Sequence, residues 1–126
     1  MRKEPVVGTG VPTSHLPFSP AVRAGALVFV SGQASVDDEG RLVPDDFAGE
    51  MRRSIENLRR VLEGAGLSLH DVAQVRAYVD DPADLPTFNS VYREYFDQPL
   101  PARTTLIGCL GGVVKFEIDA IAVDPA

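Results

Sequence analysis

Two stretches of the chain repeat their apolar residues at helical spacing. Phe47, Met51, Ile55, Leu58 and Leu62 recur at steps of four, four, three and four, which predicts an amphipathic helix with one buried stripe. Asp45 or Asp46 can cap its start, and Gly64 and Gly66 end it, with Leu67 placed to fold back over the last turn. Leu85, Phe88, Tyr92 and Tyr95 predict a second helix with an aromatic core face, capped by Asp84 and tolerating Pro86 in its first turn. Elsewhere the apolar residues are continuous or alternate. Ala21-Val22-Arg23, a turn at Ala24-Gly25, and Ala26 to Val30 predict two strands, the second ending at Ser31-Gly32. Val72 to Val79 predicts a third, with Ala73, Val75, Ala77 and Val79 on one face. Two more run from about Arg103 to Leu110 and from Val114 to Val123.

The order β-β-α-β-α-β-β predicts a single α+β domain over residues 1–126, a sheet with two helices on one face. Pro5, Pro12, Pro17 and Pro20 make residues 1–20 an irregular N-terminal arm. In the strand from Arg103, the residues Arg103, Thr105, Ile107 and Cys109 share one face and Thr104, Leu106, Gly108 and Leu110 the other. Both faces carry apolar residues, so the helix-free side of the sheet is expected to be covered as well, by another subunit.

Charge and composition narrow the function classes. A net charge of -6 argues against a surface built to neutralise phosphates, and hence against RNA or DNA as the main partner. Glu50, Arg52, Arg53, Glu56, Arg59 and Arg60 read as a solvated helix face, with Glu56 reaching Arg60 at i,i+4. No apolar run approaches the roughly 20 residues of a membrane span, and Met1-Arg2-Lys3-Glu4-Pro5 lacks the apolar core of a signal peptide, so the cytoplasm is the expected compartment. Cys109, the only cysteine, permits no intrachain disulfide and no multi-cysteine metal site. It reads as a small buried hydrophobe, and His15 and His70 give it no visible base.

Candidate chemistry concentrates near the C-terminus. Arg103 opens an apolar strand, where a guanidinium needs an anionic partner. Either Glu117, Asp119 or a neighbouring subunit pairs it, or a small-molecule carboxylate does, through the bidentate fork. Glu117 shares a strand face with Lys115 and Asp119, so pattern alone makes it one member of a polar face. Gly32 after Ser31 is either a plain strand-ending turn or a place where a backbone amide closely approaches a ligand. Asn89, beside the apolar stripe of the second helix, needs a hydrogen-bond partner if buried.

Taken together, Ser31-Gly32-Gln33, Asn89 within Phe88-Asn89-Ser90-Val91-Tyr92, Pro101-Ala102-Arg103 and Glu117-Ile118-Asp119-Ala120-Ile121-Ala122 resemble the signatures of the RidA (YjgF) family of imine deaminases, over about Pro17 to Val123. The resemblance implies a homotrimer of a chorismate-mutase-like fold with ligand clefts at subunit boundaries. It also implies cofactor-free hydrolytic deamination of 2-imino or enamine acids to 2-keto acids and ammonia, with no metal. By the same resemblance, Arg103 holds the substrate carboxylate, Glu117 positions or activates water, and Phe18, Ser31, Gly32, Asn89 and Thr105 line the pocket.

Two residues depart from the family pattern. Phe18 stands where a tyrosine is common, and Thr105 where many members have cysteine; both bear on substrate preference. If Gly111-Gly112 formed a two-residue hairpin turn, Arg103 and Glu117 would fall on opposite sheet faces. The resembled family's strand order separates the two strands and is expected to avoid that conflict, although the loop here is one residue shorter than usual. Three other functions stay in view: a non-catalytic trimer that binds keto acids or related metabolites, a deaminase of a larger enamine in one pathway, and a ribonuclease.

Overall fold

In the computed structural model, which describes residues 2–8, 10–12 and 15–126, the two predicted helices form where the apolar stripes lie. Helix α1 spans Phe47–Gly64 and helix α2 spans Leu85–Tyr95. Asp46, not Asp45, caps α1 by accepting from the Gly49 N–H at 2.8 Å. At the other end Gly66 adopts φ +78°, a left-handed conformation that glycine reaches without a Cβ penalty. The Leu67 N–H then donates back to the Leu62 carbonyl, and the Leu67 side chain is buried. Asp84 stands at the start of α2 but its side chain makes no capping bond; Asp81 instead caps a short 3₁₀ turn, Pro82–Asp84, that leads into it.

Six strands form one mixed sheet: β1 (Lys3–Pro5), β2 (Ala21–Ala24), β3 (Leu27–Gln33), β4 (Val72–Val79), β5 (Ala102–Ile107) and β6 (Phe116–Val123). Their spatial order is β1-β2-β3-β6-β4-β5, with β4 and β5 parallel and every other pair antiparallel. Strand β1 was not expected, because its segment reads as part of an irregular arm. It pairs with β2 at the outer edge of the sheet, a position where Pro5 costs no ladder bond.

One core lies between the helices and one sheet face. Met51, Ile55, Leu58 and Leu62 pack from α1 onto Val28 and Val30 of β3, Val75, Ala77 and Val79 of β4, and Phe116, Ile118, Ala120 and Ala122 of β6. The alternation in β6 is complete over this face. In β4 a register shift between Val72 and Gln74 buries Val72 and leaves Ala73 exposed, contrary to simple alternation from Ala73. The opposite sheet face carries no helix. Leu27, Phe29 and Val123 are 39%, 41% and 39% exposed there, an apolar patch that a single chain leaves open to water.

Three polar expectations are corrected. Glu50 is buried rather than solvated: it accepts from the Lys115 N–H at 3.0 Å and lies 3.6 Å from Lys115 Nζ, tying α1 to the start of β6. Glu56 pairs with Arg59, while Arg60 reaches Asp38 at 2.8 Å. Cys109 is exposed, because β5 ends at Ile107 and the chain turns away before reaching it.

The loop that follows β5 is held by Asp80, whose carboxylate accepts from the Leu110 N–H at 3.0 Å and the Gly112 N–H at 3.1 Å. Asp80→Ala should lower the urea midpoint, at fixed protein concentration, by an amount equivalent to about 1–2 kcal/mol, since two charge-assisted bonds are lost in a partly exposed setting. No helix among the described residues is long and apolar enough to cross a membrane.

Candidate active site

Arg103 lies on β5 beside Val75 of β4, and so points to the helix-covered side of the sheet. There its guanidinium carbon stands 4.7 Å from the Phe88 ring centre and 4.8 Å from that of Tyr92. The two rings of α2 form a shelf that holds the planar cation by cation–π attraction and leaves its N–H fork free to meet an anion. No ion pair to Arg103 occurs among the described residues; Asp119 is engaged elsewhere, by Arg76 and Tyr78. The aromatic stripe of α2 therefore serves both as core and as the shelf under the arginine. Asn89, half-buried on the same helix, and Thr105, on the same strand face as Arg103, belong to this side.

Glu117 lies on the other side. Its cross-strand partner is Tyr78, whose neighbours Ala77 and Val79 face the core, so Glu117 projects from the helix-free face. The strand order does place β4 between β5 and β6 as expected. It does not, however, bring Arg103 and Glu117 to one face. With β4 as common reference, Arg103 pairs with Val75 and Glu117 with Tyr78, an odd offset that puts them on opposite faces. This corrects the expectation that separating the strands would remove the conflict.

Around Glu117 the chain is built for close approach. Val30 pairs with Ala120 and Gln33 with Ile118, so Ser31 and Gly32 together oppose Asp119 in a β-bulge. A Cβ on Gly32 would lie 2.6 Å from Glu117 Oε2, so glycine makes the room in which that carboxylate sits. Ser31 Oγ donates to the Ser19 carbonyl at 2.6 Å and thereby ties the arm to β3. Burial, and next the negative charge of Asp119, push the Glu117 carboxyl above its usual range.

Phe18 borders a cleft of about 570 Å³ whose lining also includes Gly32, Leu16, Pro20 and, from α1, Asn57 and Arg60. Of the seven residues singled out from the sequence, the fold thus puts Arg103, Asn89 and Thr105 on one side of the sheet and Glu117 with the Ser31-Gly32 bulge on the other, while Phe18 lines a cleft that Gly32 shares with α1. Sequence reasoning passed over Tyr78 and Arg76. Their signal was available, as polar positions alternating with Val75, Ala77 and Val79 along β4.

Gly32→Ala should turn Glu117 out of its place. The expected result is an unchanged fold by circular dichroism together with at least a tenfold lower rate in any reaction that uses Glu117.

Comparison with known proteins identifies the family to which this fold belongs. The family described as Endoribonuclease L-PSP matches residues 9–124. The chain belongs to this family, the RidA/YjgF proteins. The RutC family protein PYRAB12510 of Pyrococcus abyssi is 39% identical over 124 residues, covering 97% of this chain and 98% of the relative. The 2-iminobutanoate/2-iminopropanoate deaminase of Salmonella typhimurium is 34% identical over 116 residues, covering 89% and 91%. The crystal structure of Escherichia coli TdcF with bound serine superposes with a TM-score of 0.83 at 33% identity, covering 95% of this chain and 98% of that one. The α+β fold expected of a RidA protein is therefore the fold of this chain.

Proposed function

We propose that this RidA-family chain is a cofactor-free deaminase that hydrolyses 2-imino or enamine acids to 2-keto acids and ammonia, at sites shared between adjacent copies of a homotrimer. The observation that carries this reading is that two complementary groups, neither with a hydrogen bond or ion pair to its side chain among the described residues, stand on opposite sides of one sheet. Arg103 presents a free guanidinium fork, and Glu117 presents a half-buried carboxyl with raised proton affinity. One chain cannot bring them together, but two copies can, with the apolar patch of Leu27, Phe29 and Val123 supplying the contact. Arg103, Asn89 and Thr105 then come from one copy and Glu117, Gly32, Ser31 and Phe18 from its neighbour.

In this arrangement Arg103 binds the substrate carboxylate bidentately, fixing the adjacent imine carbon over Glu117. Glu117 takes a proton from water as the water oxygen bonds to that carbon. The C=N π pair moves to nitrogen, Glu117 hands its proton to the resulting amine, and the C–N bond breaks as the adduct hydroxyl gives its proton back to Glu117 and becomes the keto C=O, releasing ammonia and the keto acid. A carboxyl with a raised pKa is suited to both halves of this transfer. The iminium carbon is already electrophilic, so positioning and one shuttled proton are the contribution asked of the protein. The Salmonella typhimurium relative is named for this reaction, and TdcF was crystallised with a small amino acid. The reading includes a cytoplasmic setting.

The test is the decay of 2-iminopropanoate and 2-iminobutanoate, generated in place by an amino-acid oxidase, with and without the protein. Native mass or light scattering should give three times the 13.6 kDa chain; a monomeric mass would remove the shared site. Binding of keto acids without turnover would make the protein a metabolite-binding trimer instead. RNA cleavage that survives removal of contaminating nucleases, despite the charge of -6, would favour the activity in the family's description.

A further inference from the structure

Glu117 shares the helix-free face with three side chains that the proposed reaction leaves unused. Tyr78 stands directly across on β4, and Asp119 and Arg76 form the next cross-strand pair. Both oxygens of Asp119 are engaged: Arg76 Nε donates to Oδ1 at 2.9 Å and Tyr78 Oη donates to Oδ2 at 2.6 Å. The Tyr78 phenol thus leans away from its own cross-strand partner and commits its proton to the diagonal neighbour. Among the described residues nothing donates to the Glu117 side chain. Asp119 is consequently fixed two residues along the same strand face, about 7 Å from Glu117 at the rise of a β-strand.

We infer that Asp119, clamped by Arg76 and Tyr78, is a positioning residue that sets the pH range over which Glu117 can both accept and return a proton. The inference rests on the deaminase reading above. A fixed negative charge on the same face disfavours a second ionisation, and Arg76, bound to that charge, limits the effect. Tyr78 completes the clamp as a donor only, because burial, and next its bond to Asp119, push the phenol up to about 12. The groups facing Glu117 are therefore Tyr78 and Arg76 from β4, Asp119 from β6 and the uncharged Ser31-Gly32 bulge of β3. In the trimer, Arg103 of the adjacent copy joins them. Lys115 points its ammonium elsewhere, to Glu50 and the Asp45 carbonyl.

The test combines a titration and a rate profile on the intact protein. The side-chain carboxyl of Glu117 is followed by carbon NMR, assigned by its loss in Glu117→Gln, in wild type, Asp119→Asn, Asp119→Glu and Arg76→Ala. The pH dependence of kcat/KM with 2-iminobutanoate is measured in parallel. Asp119→Asn should lower the Glu117 midpoint by about half to one pH unit, as expected for a like charge at high effective dielectric. Arg76→Ala should raise it, and Asp119→Glu, which keeps the charge, should leave it near wild type. The limb of the rate profile should move with the midpoint each time.

A merely structural role would lower the rate without moving midpoints in opposite directions. Midpoints that stay put in both Asp119→Asn and Arg76→Ala would overturn the inference, as would midpoints that move while the rate profile does not. Absence of turnover in wild type would instead refute the deaminase reading and with it the catalytic meaning of the clamp. The titration would then still decide whether the two carboxyls are coupled.

Discussion

Arg103→Ala should reduce the proposed deaminase kcat/KM by at least about 100-fold, to near the uncatalysed decay of the imine, while the fold and the proposed trimer persist. The magnitude follows from removing the cation from a desolvated, bidentate carboxylate pair, which typically costs about 2–5 kcal/mol. The fold should tolerate the change because the side chain rests on the outside of the Phe88–Tyr92 shelf and its guanidinium makes no hydrogen bond or ion pair among the described residues. Arg103→Lys should recover only part of the rate: it keeps the charge and loses the fork that fixes the substrate plane. Initial rates on 2-iminobutanoate, with trimer mass and thermal midpoint as controls, check both variants. Full activity in Arg103→Ala would refute the clamp. Loss of activity accompanied by loss of the trimer would assign Arg103 to assembly instead.

The parts of this structure that could be read from the sequence are those in which one residue's burial repeats at a fixed period. The stripe from Phe47 to Leu62 and the alternation from Phe116 to Val123 have that property, and both lie where expected. The parts that could not be read depend on a distant partner. Glu50 looks like a surface charge until β6 brings Lys115 beside it, 65 residues on. Cys109 looks buried until β5 proves to be an edge strand that stops at Ile107. The side of the sheet on which Arg103 and Glu117 fall is set by the registers of β4 with β5 and with β6. Nothing in the spacing of the motifs encodes that parity, although the motifs themselves are local and could be recognised one by one.

Glu117→Gln should lose most of the catalytic rate and gain stability, with the gain appearing only at pH values above the unfolded-state value of the carboxyl. The amide cannot shuttle a proton between water and nitrogen, and removing general acid–base catalysis typically costs 10²–10⁴-fold. Stability moves the other way. The folded carboxyl is held above its ordinary value by burial and by Asp119, so ionisation of Glu117 opposes folding. Below the unfolded-state value the carboxyl is protonated in both states and the native protein carries no such penalty. Stability is then lost as pH rises through the folded value, and glutamine, which never ionises, escapes that loss. The thermal midpoint of Glu117→Gln should therefore exceed that of wild type at pH 7 and converge on it near pH 4. A variant equally displaced at both pH values would mean that the substitution acts through packing against Gly32 rather than through charge. The predicted opposition of rate and stability follows from one arrangement: a carboxyl placed where water is scarce and a like charge is near is poised to carry a proton, and for the same reason is costly to fold around.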